Sequence, residues 1–370
     1  MANMHIRAVF VIAAAVACLS AHAEEPAAQP QTAEQVFKNI QALKGTPADQ
    51  VRPAMQFISA SLSVDCEFCH VKDKFDSDEK RNKQTARKMI AMTLAVNKDS
   101  FNGKREVTCY SCHQGHHEPI STPPVLEGDA EPTEHEAEHE APHSATPQPT
   151  TTQVLEKYVA AVGGADAMHK ISSRTAKGAI SFAGHESPLD LFAKAPDKRM
   201  TVMHSAHGES ITAFDGKVGW LGNTGQPPHE MTGAEIEAVK LDADFYFPLR
   251  IKEIFSTVRM GRPETIDGQP VYVLFGVREG KPPVRLYFDQ SSGLLVRMLR
   301  LADTPVGRNP TQIDYADFRE TDGIRIPYRW TLARPNGRFT IELKEVQQNV
   351  PIPDDKFAAP PAATTAHTGH

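Results

Sequence analysis

The chain has 370 residues, of which 40% are hydrophobic and 23% are charged, and its formal net charge is −6. This length predicts two domains, each large enough to bury its own core. The acidic balance argues against a nucleic-acid-binding protein, which would carry a basic surface.

The N-terminal segment has the pattern of an export signal. Arg7 precedes an apolar run over residues 8–19, which is too short to span a bilayer, and Ala21-His22-Ala23 follows it. A positive charge, a short apolar run and a small-residue cleavage site are typical of a secretory signal peptide. We therefore expect residues 1–23 to be removed and the remaining chain to be exported to the periplasm. Alternatively, Cys18 is lipidated and tethers the protein to a membrane.

The four cysteines that follow this segment form two C-x-x-C-H sequences. They are Cys66, Cys69 and His70 in the first motif, and Cys109, Cys112 and His113 in the second. This motif attaches c-type haem, because two thiols on one turn react with the haem vinyl groups and the adjoining histidine binds the iron. A zinc site or a redox dithiol is the alternative. Zinc-binding pairs usually lie closer in sequence, however, and the βαβ pattern of a thioredoxin-like motif is absent. The sequence therefore predicts two covalent haems.

A helical segment with methionine precedes each motif. The first runs from Pro53 to Leu62 and contains Met55. The second runs from Asp78 to Val96 and contains Met89 and Met92, which lie three residues apart on one helix face. Methionine binds haem iron, but methionine at helical spacing is more often a core residue. Spacing alone therefore does not identify the iron ligands.

Residues 118–150 are rich in proline and acidic residues and contain no Lys, Arg or aromatic residue. Such a composition cannot bury enough apolar surface to offset its ordering entropy, so we expect a disordered linker. Two sets of histidines could bind a metal ion, but a solvated acidic spacer is the simpler interpretation. These are His116 and His117, and His135, His139 and His143. The tail over residues 358–370, rich in Pro, Ala and Thr, is also expected to be disordered.

Residues 151–357 predict a second domain of the α+β class. Short alternating runs separated by turn dipeptides such as Asp215-Gly216 predict successive hairpins in a curved antiparallel sheet, an open barrel over helices. The two tryptophans, Trp220 and Trp330, are expected in its core. The domain shows no nucleophile–base pair, phosphate loop or metal-ligand spacing. The predicted helices are Thr152 to Val162, Ala165 to Ile171 and Thr232 to Leu241.

Two family resemblances follow from these patterns. Residues 32–120 resemble the cytochrome c subunit of photosynthetic reaction centres, through Ala86-Arg87-Lys88-Met89, Asn97 and the run from Val107 to Gly115. This resemblance implies a mostly α di-haem module over residues 24–117, with Met55 and Met89 as the sixth iron ligands. That family has four haem motifs in two pairs, whereas this chain has one pair. The second domain resembles the lipoprotein-carrier fold of the bacterial periplasm, which has an apolar cleft.

The predicted function is electron transfer without catalysis. Two haems with histidine and methionine ligands would relay single electrons to redox partners in the periplasm or at the membrane, and the resemblance implies a reaction-centre-like complex as a partner. The alternative is a binding protein whose β domain holds a lipid, quinone or protein, with the haems as accessory redox centres. A di-haem peroxidase needs one haem with an open position, and the methionine candidates argue against it.

Overall fold

The computed structural model describes residues 31–121 and 148–359, apart from His207 and Asn336. The predicted signal peptide, Cys18, most of the predicted linker with His135, His139 and His143, and nearly all of the tail lie outside the described residues. None of the helices in the described ranges is both long and apolar enough to cross a membrane.

Eight α-helices lie in the described part of the chain. They are α1 (Ala33–Val36), α2 (Val51–Leu62), α3 (Arg81–Ser100), α4 (Cys109–His113), α5 (Thr151–Ala161), α6 (Ala165–His169), α7 (Gly233–Ala243) and α8 (Phe247–Ile254). The helices predicted before each motif are confirmed as α2 and α3, although α3 begins three residues later than predicted and extends to Ser100. Helix α8 was not predicted. A proline lies in its first turn, where a helix tolerates it, whereas in a sequence a proline usually predicts that no helix passes through that position.

Residues 31–121 are only partly helical, so the prediction of a mostly α module is correct only in part. The first motif occupies a 3-10 turn, Cys66–Phe68, and the chain then runs through a loop to α3. Side-chain hydrogen bonds to α3, rather than a helical backbone pattern, hold this loop in place.

Fourteen strands of the described chain form one antiparallel sheet. They are β1 (Ser173–Phe182), β2 (His185–Lys194), β3 (Lys198–Ser205), β4 (Gly208–Phe214), β5 (Gly219–Asn223), β6 (His229–Glu230), β7 (Thr257–Met260), β8 (Glu264–Ile266), β9 (Gln269–Val277), β10 (Val284–Asp289), β11 (Leu295–Thr304), β12 (Gly307–Thr321), β13 (Ile324–Arg334) and β14 (Gly337–Gln348). Their order is β6-β5-β4-β3-β2-β1-β14-β13-β12-β11-β10-β9-β7, and β8 pairs with β9.

The sheet curves strongly around α7, as the hairpin pattern predicted. Strands β3 and β11 are six positions apart, which would be about 29 Å in a flat sheet at about 4.8 Å per strand. Arg199 on β3 nevertheless donates to the Asp242 carbonyl at 3.4 Å, and Arg300 on β11 donates to the Asp242 carboxylate at 2.8 Å. Both side chains can reach one residue of α7 only because the sheet wraps around that helix.

The main core lies between the sheet and the helices. Tyr158 of α5 packs edge-on against Phe288 of β10, and Ile251 of α8 is 1% exposed in the same cluster. Trp330 packs against this cluster and Trp220 against a second cluster, but both are only partly buried, so the prediction that they are core residues is correct in part. Helix α5 begins with a capping box, in which Gln153 N–H donates to Thr150 Oγ1 at 3.2 Å.

The N-terminal region packs against the β domain, an arrangement that the sequence did not predict. Helix α2 contacts strands β11 and β12. The side chain of Asn309 on β12 donates to Gln56 Oε1 on α2 at 3.0 Å. The two parts therefore share an interface formed by residues far apart in sequence.

Candidate functional site

The first C-x-x-C-H motif directly follows α2. That helix ends at Ser63, whose left-handed φ of 54° turns the chain out of the helix. Asp65 then caps the 3-10 turn, because its Oδ1 accepts a hydrogen bond from Phe68 N–H at 2.9 Å. The turn continues with a hydrogen bond of 3.0 Å from His70 N–H to the Cys66 carbonyl. The two cysteines and the histidine are therefore held on one compact turn.

The imidazole of His70 has a defined tautomer. Its Nδ1 lies 3.0 Å from the carbonyl oxygen of Phe75, and since a carbonyl can only accept, Nδ1 carries the proton. This leaves the Nε2 lone pair available to an iron ion. Burial lowers the pKa of His70 from its ordinary value of 6.5, which favours the neutral ring that a metal needs.

Helix α3 holds the loop that orients His70. The Lys83 ammonium donates to the carbonyls of Phe75, at 2.9 Å, and Ser77, at 2.8 Å. Asp78 forms ion pairs with Lys83 at 3.2 Å and with Arg87 at 2.9 Å. The hydrogen bond from Arg87 holds the pKa of the Asp78 carboxyl well below its usual range. One helix thus fixes the carbonyl to which His70 donates.

The second motif lies in α4 and repeats the same arrangement. Thr108 caps this helix through a capping box with Ser111, whose Oγ accepts from Thr108 N–H at 3.0 Å. Nδ1 of His113 lies 2.9 Å from the carbonyl oxygen of His116. Nδ1 therefore donates here as well, and Nε2 is again the free nitrogen. The main-chain carbonyl of His116 thus orients the imidazole of His113.

Asn97 on α3 fixes the segment that leads into the second motif. It is 4% exposed, and its Oδ1 accepts from Val107 N–H at 2.9 Å and from Glu106 N–H at 3.1 Å. Its Nδ2 donates to the Val107 carbonyl at 2.6 Å. In the sequence, Asn97 was singled out only by a family resemblance. In the structure, its side chain holds the backbone of the segment that leads into the second motif.

The three candidate methionines lie in two different environments. Met55 is partly buried on α2 and packs against a cluster that also contacts Cys109. Met89 and Met92 lie on α3 with 39% and 50% of their surface exposed. A core methionine would be buried, so the exposure of Met89 and Met92 argues against the interpretation that they are core residues. It does not show which of the two would bind iron. The assignment of Met55 and Met89 as iron ligands stays a prediction.

The residues around the motifs fit a haem. All four cysteines are free thiols, and burial raises the pKa of Cys69 and Cys109. Most of the large apolar side chains that are exposed lie in the same N-terminal part of the chain as the motifs, and Tyr110 lies within the second motif itself. Those in residues 31–121 are Val36, Phe75, Met89, Met92, Phe101, Tyr110 and Ile120, whereas Phe182 belongs to the described residues 148–359.

The predicted alternative of a zinc site needs converging side chains. Among the residues that the structure describes, no three His, Cys, Asp or Glu side chains come together in a group that could hold a metal ion. The two cysteine pairs therefore do not form the four-thiolate arrangement of a structural zinc site. Two separate turns, each presenting two thiols and one imidazole with a free Nε2, have the geometry of c-type haem-binding motifs.

Comparison with known proteins supports the resemblance of the N-terminal part. The family model described as photosynthetic reaction centre cytochrome C subunit matches residues 3–162. The photosynthetic reaction center cytochrome c subunit of Thermochromatium tepidum is 31% identical over 87 residues, which cover 22% of this chain and 22% of that protein. Cytochrome c-554 of Chloroflexus aurantiacus is 33% identical over 97 residues, covering 24% of this chain and 22% of that protein. The match spans about a fifth of the length of each of these curated relatives.

Solved structures resemble the β domain at low identity. A LolA superfamily protein from Nitrosomonas europaea is 14% identical, with a TM-score of 0.40, and the match covers 57% of this chain and 98% of that protein. A DUF1329 family protein from Desulfovibrio piger is 11% identical, with a TM-score of 0.42 and the same coverage.

Proposed function

We propose that the protein is an exported c-type cytochrome that carries two haems and transfers single electrons. The cysteines of each C-x-x-C-H motif would form the thioether bonds, and His70 and His113 would bind iron through Nε2. The observation that carries the proposal is the hydrogen bond from each histidine Nδ1 to a main-chain carbonyl, at 3.0 Å and 2.9 Å. Iron-binding histidines commonly have this partner, which fixes the ring orientation.

The protein side chains would set the properties of each centre. When bound, haem supplies a one-electron oxidation and reduction of its iron. The carbonyls of Phe75 and His116 accept a hydrogen bond from Nδ1–H of each histidine and so make each imidazole a stronger electron donor. Met55 and Met89 are the proposed second axial ligands, and methionine in that position raises the reduction potential.

Haem content tests this proposal. We expect the intact mass of protein matured in a periplasm to include two haems with all four thiols consumed, and a pyridine haemochrome assay to give two haems per chain. Replacing both Cys109 and Cys112 with serine should remove one haem and leave the other. A wild-type protein with one haem, no haem or a disulfide would contradict the proposal.

The proposed partner is a membrane redox complex of the reaction-centre type. The match of residues 3–162 to that cytochrome family supports it, although the chain has one pair of haem motifs. We expect the reduced protein to be oxidised in light, and not in darkness, by membranes that contain photosynthetic reaction centres. Equal rates in light and darkness would contradict this choice of partner and leave the carrier function to be tested with other membrane oxidases.

We propose that the protein is a carrier and not a peroxidase. A di-haem peroxidase needs an iron with an open or displaceable position, whereas Met55 and Met89 would fill both. The visible spectrum of the reduced protein should therefore be unchanged by carbon monoxide, and hydrogen peroxide should not be consumed faster than by free haem. Binding of carbon monoxide to one haem of the wild-type protein would favour the peroxidase.

A binding function is the second candidate, and a cleft of about 960 Å³ between the two parts of the chain favours it. Phe57, Tyr110 and Pro310 give the cleft apolar walls, while Lys104 and Arg308 give it positive charge. This cleft lies beside the second motif and outside the main core of the β domain. A quinone or lipid that binds there should protect Tyr110 from iodination, and a ligand that binds elsewhere should not.

A further inference from the structure

The turn between β11 and β12 inserts into the N-terminal region. Val306, at the tip of this hairpin, is 1% exposed, although it lies in a two-residue turn where side chains are normally solvated. It completes a cluster that we call the shared cluster, whose other buried members all come from the N-terminal region. The shared cluster consists of Leu43, Ala54, Ile90 and Val306.

The shared cluster contacts both candidate haem centres. Met55, the predicted ligand at the first centre, and Cys109, the first cysteine of the second motif, are partly buried against it. Ile90 adjoins Met89, the predicted ligand at the second centre. A change in the packing of Val306 therefore alters the cluster against which Met55 of the first centre and Cys109 of the second are packed.

Four polar or close contacts hold the hairpin in this position. Arg105, which lies four residues before Cys109, forms an ion pair with Asp303 at 2.6 Å and also donates to the Thr304 carbonyl. Gly307 lies against the ring of Phe57 on α2, so closely that an added Cβ would come within 2.4 Å of it. The hydrogen bond between Asn309 and Gln56 lies on the same side. The hairpin and the N-terminal region therefore share an interface that includes polar contacts as well as the apolar side chain of Val306.

We infer that Val306 is a positioning residue for the haem centres, so that the β domain completes the cytochrome module. This inference rests on the proposed function. Close-packed interiors tolerate few voids, and Val306 is a buried member of the cluster to which α2 and α3 contribute and against which Cys109 of α4 packs. Without it, water would enter beside Met55 and Cys109. Greater solvent access and looser axial ligands lower the reduction potential of a haem.

The test compares two equally buried valines in the full-length, haem-loaded protein. Val306→Ala should lower the reduction potential of at least one haem and weaken the near-infrared band of methionine-ligated iron. Val273→Ala, on β9, removes the same methyl groups from a residue that is 0% exposed in a separate cluster, and it should leave both signals unchanged.

The outcomes separate this inference from the proposed function. A wild-type protein without two haems contradicts the function. A di-haem wild-type protein in which Val306→Ala and Val273→Ala give the same potentials overturns the inference. If Val306→Ala does not accumulate, Arg105→Gln provides the second variant, because it removes the ion pair to Asp303 without opening a cavity. It should also lower one potential, and unchanged potentials would overturn the inference.

Discussion

Replacement of Asn97 by alanine should destabilise the haem-binding region much more than a typical polar substitution. The side chain is 4% exposed and makes three hydrogen bonds to the backbone of Glu106 and Val107. Each hydrogen bond contributes about 0.5–1.5 kcal/mol net, so the loss of three should cost roughly 2–4 kcal/mol. With a urea m-value of about 2 kcal/mol/M, this corresponds to a fall of about 1–2 M in the unfolding midpoint.

The assay can follow the two parts of the chain separately. Haem absorbance reports on the N-terminal region, while fluorescence reports on the β domain, which contains both tryptophans, Trp220 and Trp330. Asn82→Ala is the matched control, because Asn82 is exposed on the same helix and makes one hydrogen bond, of 3.2 Å, to the Phe68 carbonyl. That control should cost less than about 1 kcal/mol.

The reasoning about Asn97 is refuted if Asn97→Ala and Asn82→Ala shift the haem-detected midpoint equally. Asn97→Asp gives a second comparison, since it keeps the acceptor for the two N–H groups but places a carboxylate against the Val107 carbonyl. It should be no more stable than the alanine variant. A fully stable aspartate variant would show that the amide donor contributes nothing.

Three further predictions follow from individual side chains. Met89→Ala should remove half of the methionine–iron band and open one haem to carbon monoxide, whereas Met92→Ala should leave both signals intact; the reverse result would make Met92 the ligand. Because the hydrogen bond from Arg87 lowers the pKa of Asp78, the stabilisation by this carboxylate is complete above its ordinary pKa of 3.8 and is lost as the pH falls from there through the lower pKa of the folded protein. The difference in urea midpoint between the wild type and Asp78→Asn should therefore shrink from pH 6 to pH 2, and a constant difference would exclude this linkage. Gly307→Ala should cost about 1–3 kcal/mol through overpacking, while Gly184→Ala, whose Cβ would meet nothing within 4 Å, should show backbone strain alone; equal thermal midpoints would contradict the close contact.

Local signals in the sequence predicted much of the candidate site. The two C-x-x-C-H motifs are short, so their spacing alone predicts which residues share a turn. Helices α2 and α3 followed from apolar periodicity, and the hairpins of the β domain from turn dipeptides. The end of α3 was placed too early, because the residues after Val96 are polar and Asn97 is buried by hydrogen bonding rather than by apolar packing.

The contacts between distant segments could not be predicted in this way. The charged sequence around Lys83 predicts a solvated side chain, yet Lys83 is 8% exposed because two carbonyls of the preceding loop accept hydrogen bonds from its ammonium group. Val306 reads as an ordinary turn residue, and its burial depends on a region about 200 residues earlier in the chain. Neither periodicity nor local propensity carries such information, because both describe only residues near each other in sequence.

Helix α3 makes the two candidate haem centres parts of one structure. Its first turn holds, through Lys83, the carbonyl that orients His70, and its last turns hold, through Asn97, the segment that enters the second motif. Met89 lies between these two points on the same helix. A rigid helix that contacts one centre at each end fixes the separation and orientation of both motifs. The proposed single-electron transfer between two haems would need such a fixed geometry, and the β domain would help to maintain it through Val306, which shares a buried cluster with Ile90 of the same helix.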